Sequence, residues 1–134
     1  MRTDVRRVIT GAGSVLAAAI LVTGVAGAAH GADANFSVGT KEQPGYISYA
    51  GVATFIGEGE HFRVVDNDED GAGVRGQVFV EGTLVSTVTN TGGYGHTDSV
   101  DLNITDDKDV TIKVCISNNG SIVSGTCREV AGQA

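Results

Sequence analysis

The sequence predicts an all-β fold: a small antiparallel β-sandwich of about seven strands, immunoglobulin-like in general architecture, behind an N-terminal signal peptide. Three observations carry this. From residue 35 onward Val, Thr, Ile and Gly are abundant and Pro occurs once, a composition suited to strands joined by tight turns. Several runs alternate apolar and polar residues with period two, the mark of a strand with one buried face. Turn residues recur about every eight to twelve positions, the spacing of a sandwich, with a closed barrel as the alternative. An immunoglobulin domain proper is disfavoured, because Trp is absent and the two cysteines are too close in sequence to bridge two sheets.

The first quarter of the chain reads differently. Arg2, Arg6 and Arg7 form a basic start, Val8 to Val25 is an apolar run, and Ala26, Gly27, Ala28 and Ala29 follow. This is the three-part layout of a secretory signal peptide. Small residues place cleavage within 28–35, after Ala28 or after Ala34, so residues 1–34 are leader and residues 35–134 a single domain. Uncleaved, a run of about 18 apolar residues reaches the lower limit of a spanning helix. Its small-residue tail favours cleavage.

Removing the leader sharpens the charge. Three of the nine basic residues (Arg2, Arg6, Arg7) and one of the sixteen acidic ones (Asp4) lie in residues 1–32, so residues 33–134 hold 6 against 15, a net charge of −9. A domain this acidic repels phosphate backbones and anionic lipid, which argues against nucleic acid and membrane surfaces as partners. Cations and basic protein surfaces fit better.

Taken in order, residues 36–39 predict a short strand, followed by a polar loop carrying Pro44. Residues 46–56 alternate loosely around Gly51 and predict either a bent strand or two short ones. Gly57-Glu58-Gly59 ends them. Phe62 and Val64 alternate with Arg63, and Val74, Gly76, Val78 and Val80 alternate with Arg75, Gln77 and Phe79. Gly82 turns the chain into a strand over 84–89, and residues 90–95 form a Gly-rich loop of the kind that is often mobile.

In residues 99–105 the apolar set is Val100, Leu102 and Ile104. A charged turn, Asp106-Asp107-Lys108-Asp109, leads to the run Val110, Ile112, Val114, Ile116. Asn118-Asn119-Gly120 signals a type I′ hairpin, since Asn-Gly supplies the positive φ values that turn needs. A last strand then reaches Cys127. Cys115 and Cys127 predict one disulfide in an oxidising compartment. The loop it closes is worth roughly 3 kcal/mol in the chain-entropy model. Cys115 has the parity opposite to the apolar set, which predicts that the bridge staples the more exposed face of the hairpin.

One stretch is a candidate ion site. Asp66-Asn67-Asp68-Glu69-Asp70-Gly71 matches the first half of a calcium loop, with Asp66, Asp68 and Asp70 at alternating positions and Gly where the turn sharpens. The second half fails: position twelve is Gln77, which has no carboxylate. Glu58, Glu60 or Asp107 would have to complete the ligand set, and the alternative is a solvated acidic turn between two strands. His96-Thr97-Asp98-Ser99 and His61 supply imidazole, carboxylate and hydroxyl, yet neighbours along a strand point to opposite faces and no G-x-S-x-G frame occurs. No catalytic residue is therefore assigned. Tyr46, Tyr49 and Tyr94 with Phe55 and Phe79 could form a recognition patch; burial of both faces of a sandwich strand is the alternative.

The approach Gly59-Glu60-His61-Phe62-Arg63-Val64-Val65-Asp66, the exit Asp70-Gly71-Ala72-Gly73-Val74, and Cys115 with Gly125-Thr126-Cys127 carry a resemblance. Over roughly residues 45–130 the chain resembles a loose family of small secreted actinobacterial proteins without assigned function. The resemblance implies a β-sandwich behind a signal peptide. Some such proteins have a further Cys near the position of Val65, which this chain lacks. No site residue is implied by the resemblance.

Together these readings predict a secreted, monomeric, non-enzymatic domain that binds an extracellular protein or cell-envelope component through its loop end. The alternatives are a calcium-binding extracellular module using the 66–71 turn and a secreted enzyme inhibitor. No cofactor is expected apart from calcium in the first of these.

Overall fold

The computed structural model describes residues 34–134; the signal-peptide assignment, but for Ala34, lies outside the described residues. The described chain forms eight strands, β1 (Asn35–Gly39), β2 (Gly51–Ile56), β3 (His61–Asp66), β4 (Gly73–Val80), β5 (Thr83–Asn90), β6 (Thr97–Asp101), β7 (Asp109–Asn118) and β8 (Ser121–Gln133). One sheet has the order β1-β2-β3-β6 and the other β5-β4-β7-β8. Every pairing is antiparallel, so this is the β-sandwich that the alternating runs predict.

The period-two sets meet between the sheets. Ala53 and Phe55 of β2 and Phe62 and Val64 of β3 are buried, as are Val74 and Val78 of β4 and Val110, Ile112, Val114 and Ile116 of β7. Phe55 packs against Phe36 with ring centroids 5.2 Å apart. Gly76 completes the β4 set: a Cβ there would lie 2.5 Å from Val64 Cγ2 and 2.8 Å from Phe62 Cζ. The larger β3 side chains occupy the space that a side chain at 76 would need.

Both two-residue hairpins of the second sheet have positive φ at both central positions, Glu81 (50°) and Gly82 (83°), then Asn119 (50°) and Gly120 (83°). That is the backbone a type I′ turn requires, and the Asn119-Gly120 hairpin forms where the sequence predicts it.

Four elements differ from expectation. Residues 46–50 are not strand: Gln43 and Tyr46 make an isolated bridge, and β2 begins at Gly51. A Cβ on Gly51 would meet Val74 Cγ1 at 2.5 Å, so this glycine permits close packing at the strand start. The predicted 99–105 strand is instead Thr97–Asp101. After Asp101 the backbone turns to Glu60, whose carbonyl accepts the Leu102 N–H at 2.8 Å and whose carboxylate accepts the Ile104 N–H at 2.7 Å.

The last strand does not stop at Cys127 but runs to Gln133, and Ala134 beyond it is buried. Finally, Cys115 is not on an exposed face, being only 4 % exposed. The β7–β8 register jumps from Ile116↔Val123 to Val114↔Arg128, so residues 124–127 of β8 bulge opposite the single residue Cys115. The Cys115–Cys127 disulfide closes the base of that bulge. Cys115 has the parity opposite to the apolar set and is buried all the same, at the position where β8 bulges.

Successive strands alternate in direction, so the connections after β1, β3, β5 and β7 share one pole of the sandwich. The Asp66 turn, the Gly-rich loop and the Asn119-Gly120 hairpin therefore converge there.

Candidate functional site

Asp66 continues the inward set of β3, Phe62, Val64, Asp66, and is 2 % exposed. Its Oδ1 accepts the Asp68 N–H at 3.1 Å, while its buried Oδ2 has no hydrogen-bond partner. Loss of hydration raises the pKa of this carboxyl above the ordinary aspartate value. The Asp68 amide opposes that shift, and the charges of Asp70 and Asp68 add to it. Asp70 repeats the pattern: Oδ1 accepts the Ala72 N–H at 2.9 Å and Oδ2 is buried and unpartnered. These two side-chain-to-backbone bonds shape the turn, as Asp does in Asx turns.

The Gly-rich loop is pinned to this turn. Gly95 N–H donates to Asp66 O at 2.7 Å, and Asp66 N–H donates to His96 O at 3.2 Å. Fully buried Asn90 donates from Nδ2 to Val64 O at 3.0 Å and His96 O at 2.6 Å, and its Oδ1 accepts the Gly92 N–H at 3.0 Å. The Gly-rich loop is thus held at both ends by hydrogen bonds.

Between the turn, the loop and the hairpin lies an open depression of about 520 Å³. Asp66, Asp68, Glu69, Thr89, Thr91, Ser117, Asn119 and Tyr94 are among the residues that line it. Tyr94 is 64 % exposed and stands at the rim. No Lys, Arg or His is in the lining.

Asp66, Asp68 and Asp70 do share one turn, as expected, but their geometry is that of a capped turn. Among the described residues, no three His, Cys, Asp or Glu side chains are grouped to hold a metal ion. Of the other carboxylates considered, Glu60 accepts the Ile104 amide, and neither Glu58 nor Asp107 lines the depression. Gln77 sits in β4 opposite Thr87 and Lys113.

The imidazoles stand at opposite ends of the β3–β6 pair: His61 is opposite Asp101, and His96 immediately precedes Thr97, which is opposite Val65. Four residues of strand separate these pairs, roughly 13 Å along the sheet. His61 Nδ1 pairs with Asp101 and His96 Nε2 with Asp98 at 3.1 Å. Each imidazole meets a carboxylate and neither a hydroxyl.

The aromatic patch does not assemble as one surface. Phe55 is core, the Tyr46 hydroxyl accepts a hydrogen bond from Asn118 Nδ2, Arg128 stacks over Tyr49, and Tyr94 alone lines the depression. Thr89, Thr91, Ser117 and Asn119 were not singled out as site residues. Strand alternation could have found them, because it places the ends of β3, β5 and β7 at one pole.

No family model matches the chain, and no curated protein sequence does. Among solved structures, the chain is similar to domains d3–d4 of the rat CD45 extracellular region, with 15 % identity and a TM-score of 0.43, over 100 % of this chain and 81 % of that one. A likeness this distant carries no functional argument. The disulfide fits an extracellular protein, and no helix among the described residues is long and apolar enough to cross a membrane.

Proposed function

We propose that this is a secreted, non-enzymatic β-sandwich that binds an extracellular protein or cell-envelope component through its loop end. The observation that carries the reading is the convergence of three connections on the acidic, hydroxyl-rich depression. Tyr94 at its rim is a large amphipathic side chain held on an anchored loop, the kind of residue that contributes strongly at interfaces with little ordering cost. Export rests on the leader read from residues 1–34, and the mature amino terminus found by mass spectrometry of culture supernatant should fall at a cleavage point within 28–35.

Binding is tested by capture from culture supernatant or envelope extract on the immobilised domain, with Thr91→Ala/Tyr94→Ala at the loop end and Val85→Ser on β5 as a control. Capture of the partner should fall at least about five-fold in the loop-end variant, a loss typical of removing an interface hot spot. Equal capture by all three proteins removes the loop end from the account.

A further inference from the structure

The lining of the depression has an unmet charge as well as a shape. Asp66, buried with Oδ2 unpartnered, is among its lining residues, Asp68 and Glu69 beside it are more exposed, and no basic side chain lines it. Arg75 is a neighbour of the rim, but its Nη2 is directed at Gly120 O, 3.4 Å away. A carboxylate oxygen withdrawn from water without a donor is costly, and a ligand that brings both positive charge and N–H donors relieves both deficits at once.

We propose that this depression seats the cationic head of a lysine or arginine side chain on a partner protein, with Asp66 receiving it and Asp68 and Glu69 drawing it in from the mouth. The inference rests on the loop-end binding reading and gives it a ligand chemistry. The strongly acidic balance of the domain acts in the same direction, because a field of one sign raises the encounter rate with basic surfaces. The hydroxyls of Thr91 and Ser117 supply acceptors for the remaining N–H groups of the head.

The test is an ¹H–¹⁵N correlation titration of the domain with Nα-acetyl-lysine-N-methylamide, and in separate arms with the norleucine analogue, which lacks the ammonium, and with calcium chloride. The lysine compound should give saturable shifts at the amides of Asp68, Ala72 and Gly93 with a Kd on the order of 1–10 mM, the strength expected of one exposed charge-assisted contact. The norleucine analogue should give none, and Asp66→Asn should weaken lysine binding about ten-fold. Asp68→Asn/Glu69→Gln, at the accessible mouth, carries the same test if the Asp66 variant fails to fold, with a loss of about three-fold expected.

Equal shifts from norleucine, lysine binding unaltered in a folded variant, or a response to calcium alone would each overturn the proposal. If it is overturned while Thr91→Ala/Tyr94→Ala still lowers capture, the loop-end reading stands and only the cationic ligand is lost.

Discussion

Asn90, the last residue of β5 in one sheet, donates its buried amide Nδ2–H to the backbone carbonyl of Val64 in β3 of the other, 3.0 Å away. A second bond from the same nitrogen reaches His96 O, and the Oδ1 holds Gly92. One side chain thus ties the two sheets together and fixes the start of the loop that frames the depression. Asn90→Ala leaves two carbonyls and one N–H without that partner. It should cost about 2–4 kcal/mol and lower Tm by about 10 °C or more, measured by thermal denaturation. A change within about 0.5 kcal/mol would show that these groups find other partners.

Asp66 gives a pH dependence of definite sign. Its carboxyl is raised in the folded state by burial, against the Asp68 amide and with help from Asp70 and Asp68. Folding therefore binds the proton more tightly, so this group's contribution to stability is fully present below the ordinary aspartate pKa and is lost as pH rises through the elevated folded value. Asp66→Asn keeps an Oδ1 for the Asp68 N–H and removes the charge. The variant should melt higher than the wild-type domain at pH 7, and the gap should close as pH falls toward 3. A variant that is less stable at pH 7 would contradict this. Paired with weaker amine binding, a gain in stability would mark Asp66 as a residue held at a cost to the fold.

The bulge of β8 is secured twice. Cys115 and Cys127 close it covalently, and buried Thr126 accepts the Ile116 N–H at 2.9 Å while donating to Val123 O at 2.6 Å. Replacing both cysteines by Ala should cost about 3 kcal/mol, and Thr126→Val about 1–3 kcal/mol by leaving the Ile116 amide unpaired. Urea unfolding of the two variants and their combination measures both. Because they hold the same bulge, the combined loss should differ from the sum.

Gly76 faces Phe62 and Val64 across the sandwich with no room for a Cβ. Gly76→Ala should destabilise by about 1–3 kcal/mol through overpacking, despite the better strand propensity of Ala. An unchanged or higher Tm would show that the facing side chains repack without penalty.

Much of the fold was legible because burial on one face imposes period two. β3, β4 and β7 are the cases: Phe62 and Val64, Val74 to Val78, and Val110 to Ile116 point inward as read. The same rule extended one step places Asp66 inward with Phe62 and Val64, so its burial was present in the pattern but masked by its reading as part of a solvated turn. Alternation also continues past the end of pairing: Leu102 and Ile104 pack inward although Glu60, not a neighbouring strand, takes their amides. The bulge at 124–127 was not legible, because the parity of Cys115 says which face it occupies and nothing of what later covers that face. The anchoring of residues 90–95 was not legible either, since it depends on Asp66 and Val64 of a strand distant in sequence.

The proposed binding pole is where the 67–72, 91–96 and 119–120 connections meet, and amide hydrogen exchange of the domain with and without its captured partner locates the contact. Added protection is expected in those three segments, with unchanged exchange in the Glu81-Gly82 hairpin and the 102–108 connection at the opposite pole. Protection confined to the opposite pole, or to the outer edges of β5 and β8, would contradict it.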